Sequence, residues 1–532
     1  MSQLVKKTAK AQPKAPVKNT AKAQPKAPVG RPKAKVTKTK VKVAQRKSRN
    51  HSGDDLTNYI GAADHPDWAT HMVSILRPWL QSLPQLCGHC LRLHVWADCV
   101  GHCSEMCAAP EIEQTLCKLL GVDAKFILHG ACDECPNSKK FVVQNFDPKH
   151  WSDDICSRDW ETGVYTDTKT FPPVARQLPP EGIDIYCAGW PCGPFSHRGA
   201  RKRGDDAKGH IIWSVINSIK LMNPGTFILE NVSAVTEQDE NNFWQQVADT
   251  LADELPHHNT VMLPGYSPLH VGYPNYRDRL KVLGAREDVS TRDKMQRIVQ
   301  TIAMNPLHPV HNWRTFLGLG QSTDWAKFNC EPTADDLQRL QGCECGLDPW
   351  HPCPKHPCRC PCCKPRKGKR WSAKRKCAWR KTGETFMKKI GLNLEDHKLL
   401  RLSYVQTADV QGITTPQSPR VRHLLNVCAL CPQVAPLQDT LTLVDITQSL
   451  CRKPWRTDGG APVIATQTVL WSMQDAKSLS LGQLAELMGH KLINVSFMGI
   501  GRTAQMKLLG NSIHVACMGS MLMAVIAIAC PE

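Results

Sequence analysis

The first 53 residues contain no aspartate or glutamate, yet they hold 16 lysines or arginines. Aromatic and branched apolar residues are also scarce there, and "TAKAQPKAPV" at 8–17 recurs intact at 20–29. Such a segment cannot bury enough apolar surface to offset the entropy of ordering it, so residues 1–55 are expected to be a disordered basic tail. Two further absences narrow the class. No signal-peptide apolar stretch opens the chain, so its 25 cysteines are expected to be reduced thiols or metal ligands rather than a disulfide framework. No apolar run is long enough for a comfortable membrane span. Val515 to Cys530 comes nearest, but it is short and contains Gly519 and Ser520, and it is expected to be a buried helix. No membrane partner is expected.

Beyond the tail the chain is nearly neutral, with 51 basic and 48 acidic residues. A cationic tail on a neutral body predicts a polyanionic partner, with nucleic acid first. "GRPK" at Gly30 to Lys33 looks like the core of an AT-hook.

From residue 91 the pattern alternates. "LRLHVWAD" (91–98), "AKFILHG" (124–130), "IDIYCAG" (183–189), "TFILEN" (226–231) and "LKVLGA" (280–285) read as strands. Helical stretches at 103–120, around "NSKKFVVQNF" and at 209–222 separate the first four of them. This spacing predicts an α/β fold with a doubly wound, mostly parallel sheet, whose ligands sit beyond the carboxyl ends of the strands. Asp98, Asp133, Cys192 and Glu230 all fall at such ends. The expected organisation is a core over 56–285, an inserted irregular domain over 286–477, and a return to the core over 478–532.

Two of these positions carry recognisable chemistry. Cys192, between Pro191 and Gly193, leaves a strand with its side chain free to reach a ligand. The cationic Arg198, Arg201, Lys202 and Arg203 downstream favour a thiolate nucleophile. Glu230 ends an apolar strand and is a candidate proton donor, although a helix cap or a salt bridge would explain it by residue type alone.

"PC" after one strand and "ENV" after the next, about 38 residues on, resembles the DNA (cytosine-5)-methyltransferase family. "GYPNYRDRLKVLG" (272–284) is similar to that family's Gln-x-Arg-x-Arg motif, with Arg277 and Arg279 as the arginines. "LSLGQLAELMGH" (479–490) and "LLGNSIHVACMGSMLMAV" (508–525) resemble the closing segments, and "WADCVGHCSEM" (96–106) stands where the first cofactor motif belongs.

The resemblance implies a Rossmann-like fold that binds S-adenosylmethionine and methylates carbon 5 of a flipped-out cytosine in DNA. Cys192 would add to carbon 6 while Glu230 serves ring N3. Arg279 would hold the base, and Arg277 would organise the loop around the nucleophile. Asp98, Cys99, Gly101, Asp133, Asp154, Pro191, Asn511 and Ser512 are the implied cofactor-binding positions. Ser196 and Arg198 are implied nucleic-acid contacts.

The family pattern is broken at three places. The first motif has lost its aromatic and its second glycine (Cys99-Val100-Gly101-His102-Cys103). Gly193 stands for the usual glutamine, and Asn275 stands for another. A tRNA cytosine-5 methyltransferase and a catalytically weak chromatin-binding member of the family are the alternative readings.

The inserted region is read as a target-recognition domain. Its cysteine cluster offers Cys343, Cys345, Cys353, Cys358, Cys360 and Cys363 as zinc ligands. The run that follows interleaves ten basic residues with Trp371 and Trp379, and it predicts DNA contacts from Lys367, Arg370, Lys374 and Arg375. Nuclear residence is expected, with an organelle as the alternative.

Overall fold

A computed structural model describes residues 63–196, 202–237, 242–309, 311–319, 385–389, 391, 419–430, 442–475, 477–491 and 494–531. The expectations for the basic tail, for Arg198, for Cys343, Cys345, Cys353, Cys358, Cys360 and Cys363, and for Lys367, Arg370, Lys374 and Arg375 lie outside the described residues.

The chain enters through α1 (Trp68–Leu80), started by the Asp67 carboxylate accepting from Thr70 N at 3.2 Å, and a short α2 (Leu83–Cys87). The alternating region follows as β1 (Cys90–Asp98), α3 (Ser104–Leu120), β2 (Asp123–Cys132), α4 (Pro136–Phe146) and β3 (His150–Ser152). A small hairpin of β4 (Val164–Asp167) and β5 (Val174–Gln177) precedes β6 (Ile185–Ala188). Then come α5 (Ile211–Met222), β7 (Thr226–Val232), α6 (Phe243–Glu254), β8 (His258–Tyr266), β9 (Arg279–Arg286), α7 (Arg292–Met304) and α8 (Trp313–Phe316). The later elements are α9 (Pro419–Leu430), β10 (Leu443–Asp445), β11 (Trp455–Arg456), β12 (Leu470–Ser472), β13 (Lys477–Ser478), α10 (Leu481–Leu487), α11 (Arg502–Asn511) and α12 (Val515–Ala529).

The central sheet has seven strands in the order β3-β2-β1-β6-β7-β9-β8. β3, β2, β1, β6 and β7 run parallel, whereas β9 is antiparallel to both β7 and β8. The sequence reading is therefore right for β1, β2, β6 and β7, and it did not name the three-residue parallel edge strand β3. It names β9 as "LKVLGA" but not its antiparallel direction, and it misses β8 ("HNTVMLPGY"), which is half exposed and lacks the apolar run of a buried strand. The strand order reverses between β1 and β6, so the crevice beyond their carboxyl ends is the natural ligand position.

Two apolar layers cover the sheet. On one face α1, α3, α7 and α12 form a single core with residues of β1, β2 and β8. On the other, α5 and α6 pack on Trp96, Tyr186, Phe227 and Leu229. Helix α12 is buried over Val515–Ile528, as the uniformly apolar sequence requires, and no single described helix is long and apolar enough to cross a membrane.

The core also runs past the boundary drawn at 285. Met295, Ile298 and Ile302 of α7, with Trp313, Phe316 and Leu317, belong to the main apolar cluster. The inserted region therefore starts later than residue 286. Its described part includes the antiparallel sheet β11-β10-β12-β13, packed with α9 and with Phe386 and Met387 around Trp455 and Trp471.

Candidate active site

β6 and β7 are parallel neighbours, with Ala188 paired to Leu229, so the residues that leave them emerge side by side. The chain beyond β6 is pinned. Trp190 is buried and its carbonyl accepts from Asn231 Nδ2 at 3.1 Å. The Cys192 carbonyl accepts from the N–H groups of Phe195 (3.1 Å) and Ser196 (2.9 Å), closing a turn. Phe195 stacks on Phe243 with ring centroids 5.1 Å apart. A half-buried Cys192 side chain is thus held on a short, fixed loop. Gly193 is exposed with open space where a Cβ would stand, so nothing in the fold itself demands a glycine there.

Glu230 lies one residue beyond Leu229 and is buried. Arg279, across the antiparallel β7–β9 pair, places Nε 3.0 Å from Glu230 Oε1. Lys281 lies directly opposite Glu230 in the register and reaches the same Oε1 at 4.0 Å. Glu230 Oε2 lies 3.5 Å from the position a Cβ would take on Gly189, at the end of β6. The two cations therefore hold one oxygen and turn the other toward the strand end that leads to Cys192.

The arginines divide their work differently from what the resemblance implies. Arg277 is buried and donates to the carbonyls of Ile464, Gly510 and Ser512, tying the C-terminal return to the inserted region. It thus clamps the C-terminal return, and it lies near enough to Cys192 and Glu230 for their charges to act on it. Burial and the neighbouring Arg279 hold its guanidinium below the usual range, while the charges of Glu230 and Cys192 oppose them.

The cofactor-facing positions gather around the β1–α3 turn. Gly101 has φ +56°, a left-handed conformation that favours glycine, and a Cβ there would meet Ser512 Oγ at 3.5 Å. Cys99 precedes it, also at positive φ (+54°). The Gly101 N–H donates to Asp133 Oδ2 (2.9 Å), and Cys135 N donates to Oδ1 (2.8 Å). Burial raises the Asp133 carboxyl, and these backbone donors oppose the rise. Asp154 is exposed beyond β3 and accepts from Cys156 N at 2.8 Å. Pro191 is half-buried beside Cys192, Ser512 is buried, and Asn511 is exposed at the end of α11.

Asp98 is a correction. Its carboxylate is fully engaged inside the protein, with Arg158 Nη1 and Nη2 each at 2.6 Å, Tyr186 Oη at 2.8 Å and Trp96 Nε1 at 3.1 Å. Neither partner of this ion pair is exposed. Asp98 anchors the crevice floor and offers no oxygen to a cofactor.

Sequence reasoning missed Arg158, Lys281 and Asn231. Of these, only Lys281 carries a sequence signal: a lone lysine inside the apolar strand "RLKVLGA". Cys187, by contrast, packs in the core as its strand position predicts.

Residues 139–315 match the family model "C-5 cytosine-specific DNA methylase". Among curated proteins, the type II methyltransferase M.NgoBI of Neisseria gonorrhoeae is 31% identical over 106 residues, which is 20% of this chain and 32% of that protein. M.HhaI of Haemophilus parahaemolyticus is 27% identical over 111 residues, 21% of this chain and 33% of that protein. The matched stretch thus spans about a third of the length of these relatives. Among solved structures, the S. pombe Dnmt2 methyltransferase aligns over 82% of this chain and 98% of its own, with 13% identity and a TM-score of 0.39.

Proposed function

We propose that this chain, which belongs to the C-5 cytosine-specific DNA methylase family through residues 139–315, methylates carbon 5 of cytosine in DNA. The observation that carries the reading is the orientation of Glu230: Arg279 and Lys281 hold Oε1, while Oε2 faces the end of β6, from which Cys192 follows.

The chain's own residues supply the following steps. Cys192 Sγ adds to carbon 6 of a cytosine turned out of the duplex, because a stacked base cannot expose that carbon to a thiolate. Glu230, through Oε2, serves ring N3 and so stabilises the charge that the addition develops. Carbon 5 becomes the nucleophile that takes the methyl group. Loss of its proton then breaks the sulfur–carbon bond and frees Cys192. Arg279 positions Glu230, and Arg277 closes the C-terminal return behind both.

The crevice fits S-adenosylmethionine. Gly101 allows close backbone approach, Ser512 faces it, and the Asp133 carboxylate keeps lone pairs beyond the two given to Gly101 and Cys135. Gly101, Asp133, Asp154, Pro191 and Ser512 would hold the cofactor, with Asn511 at the rim. When bound, S-adenosylmethionine supplies an electrophilic methyl group.

The basic tail and the run at 364–381 extend the proposal to DNA affinity that falls steeply with salt, and to residence in the nucleus. Zinc in the cysteine cluster at 343–363 belongs to the same proposal.

The deciding experiment is covalent trapping on DNA containing 5-fluorocytosine with S-adenosylmethionine present. A stable adduct, lost in Cys192→Ala, is the expected result. Failure of the wild-type chain to trap on any DNA while still binding S-adenosylmethionine would overturn the reading.

A further inference from the structure

Behind the β1–α3 turn, three side chains from separate segments converge in the interior. His102 follows Gly101, Cys107 lies in the first turn of α3, and His490 follows α10. All three are buried, and one potential ligand atom from each lies within 4.8 Å of the others. The His102 and His490 rings are 4.3 Å apart, tilted by 50°.

The histidines have an unusual deficit. Neither ring nitrogen of His102 and neither of His490 has a hydrogen-bond partner. A neutral imidazole carries one N–H donor and one lone pair. The two rings thus leave four polar atoms dry, at about 1–3 kcal/mol each. Native interiors pair nearly all such groups. The third member, the Cys107 thiol, is a soft potential ligand beside the two rings.

We propose that His102, Cys107 and His490 bind a zinc ion. Two imidazole nitrogens and one thiolate are a borderline-soft set of the kind zinc takes, with a fourth position left for a small ligand. Zinc bonds of about 2.0–2.3 Å in a tetrahedron put ligand atoms about 3.3–3.7 Å apart, so the three must close by about an ångström. Two of them stand on irregular chain and the third on a first helical turn, where such a shift is small. The Cys107 thiol donates to the His102 carbonyl at 3.5 Å. On binding, the sulfur–zinc bond forms as that thiol proton passes to solvent.

The ion would tie the Gly101 turn, the start of α3 and the segment after α10 into one unit. That is where the first cofactor motif has lost its second glycine, with Cys103 at φ +57° in its place. A tighter cofactor crevice follows from this link, and that consequence rests on the proposed function. The metal site itself does not.

The test uses the full chain, purified without chelator and crystallised with zinc. An anomalous difference map at the zinc edge is expected to show a peak about 2.0–2.3 Å from the three ligand atoms. Metal analysis is expected to give one zinc fewer per chain in Cys107→Ala and in His490→Asn, each checked for folding by circular dichroism. The cysteine cluster at 343–363 leaves that difference unaltered. No peak between the three residues, or equal zinc in the wild type and both folded variants, overturns the site. If the variants do not fold, the map alone decides. A chain that shows the peak but no methyl transfer would leave this site standing and remove only the proposed activity.

Discussion

Glu230 and Lys281 stand opposite each other on β7 and β9, with Lys281 Nζ 4.0 Å from Glu230 Oε1 and without a hydrogen-bond partner. The ammonium is fully buried, and burial pulls its protonation equilibrium down while the Glu230 charge opposes the shift. An ammonium buried with one long ion pair and no hydrogen bond costs stability, so its place here is best explained by what it does to the carboxylate. Lys281→Met keeps the volume and removes the charge, and the fold is expected to keep or gain stability, by about 1 kcal/mol. Methyl transfer is expected to fall about tenfold in kcat, since Arg279 alone then orients Glu230, while KM for DNA stays unchanged. Thermal denaturation and steady-state kinetics read the two effects separately, and an unaltered kcat would show that Lys281 is mere filling.

Asp98 and Arg158 make the opposite case, in which a charged pair serves the fold. Asp98→Asn leaves the Arg158 guanidinium buried without its counter-charge, at an expected cost of about 3–5 kcal/mol in urea unfolding. S-adenosylmethionine affinity, measured on the protein that remains folded, is expected to be unchanged. A large rise in Kd would return Asp98 to the cofactor set.

Gly510 marks a backbone crossing. A Cβ there would stand 2.1 Å from Thr466 N and 2.2 Å from Ala465 C, atoms that no rotamer change can move aside. Gly510→Ala is therefore expected to lose about 1–3 kcal/mol and to weaken the Arg277 clamp. Gly193→Ala, with open space around it, is the control and is expected to stay within about 0.5 kcal/mol of wild type. Chemical denaturation of the two variants side by side checks the contrast.

His65 gives a pH dependence. Its Nδ1 lies 3.0 Å from Tyr273 Oη, and burial together with the Lys491 charge lowers its pKa from 6.5 to about 4, with Asp64 opposing. Because the folded value lies below the unfolded one, the unfolded chain binds more protons between them. The stability is complete above pH 6.5 and is lost as pH falls toward 4. The loss amounts to at most about 3 kcal/mol. His65→Asn is expected to make the denaturation midpoint fall less steeply over that window, the rest of the slope coming from His129 and the other buried histidines. A slope identical to wild type would assign the acid sensitivity to other groups.

The sequence by itself determined four of the five parallel strands, β1, β2, β6 and β7, since their apolar runs are local properties, whereas the three-residue β3 is too short to show one. It also pointed to Cys192 and Glu230 as the pair to examine, through the resemblance carried by "PC" and "ENV", since position near a strand end alone left a helix cap or a salt bridge open for Glu230. Only the tertiary structure decided which charged groups act outward and which are spent inside. Asp98 and Asp133 look alike in sequence, each an acid near the carboxyl end of an apolar strand. The fold gives Asp98 to Arg158 and Asp133 to the Gly101 turn. Likewise, no spacing rule joins His102 to His490 or Glu230 to Lys281. Those meetings depend on how distant segments cross, a long-range property that no local pattern carries.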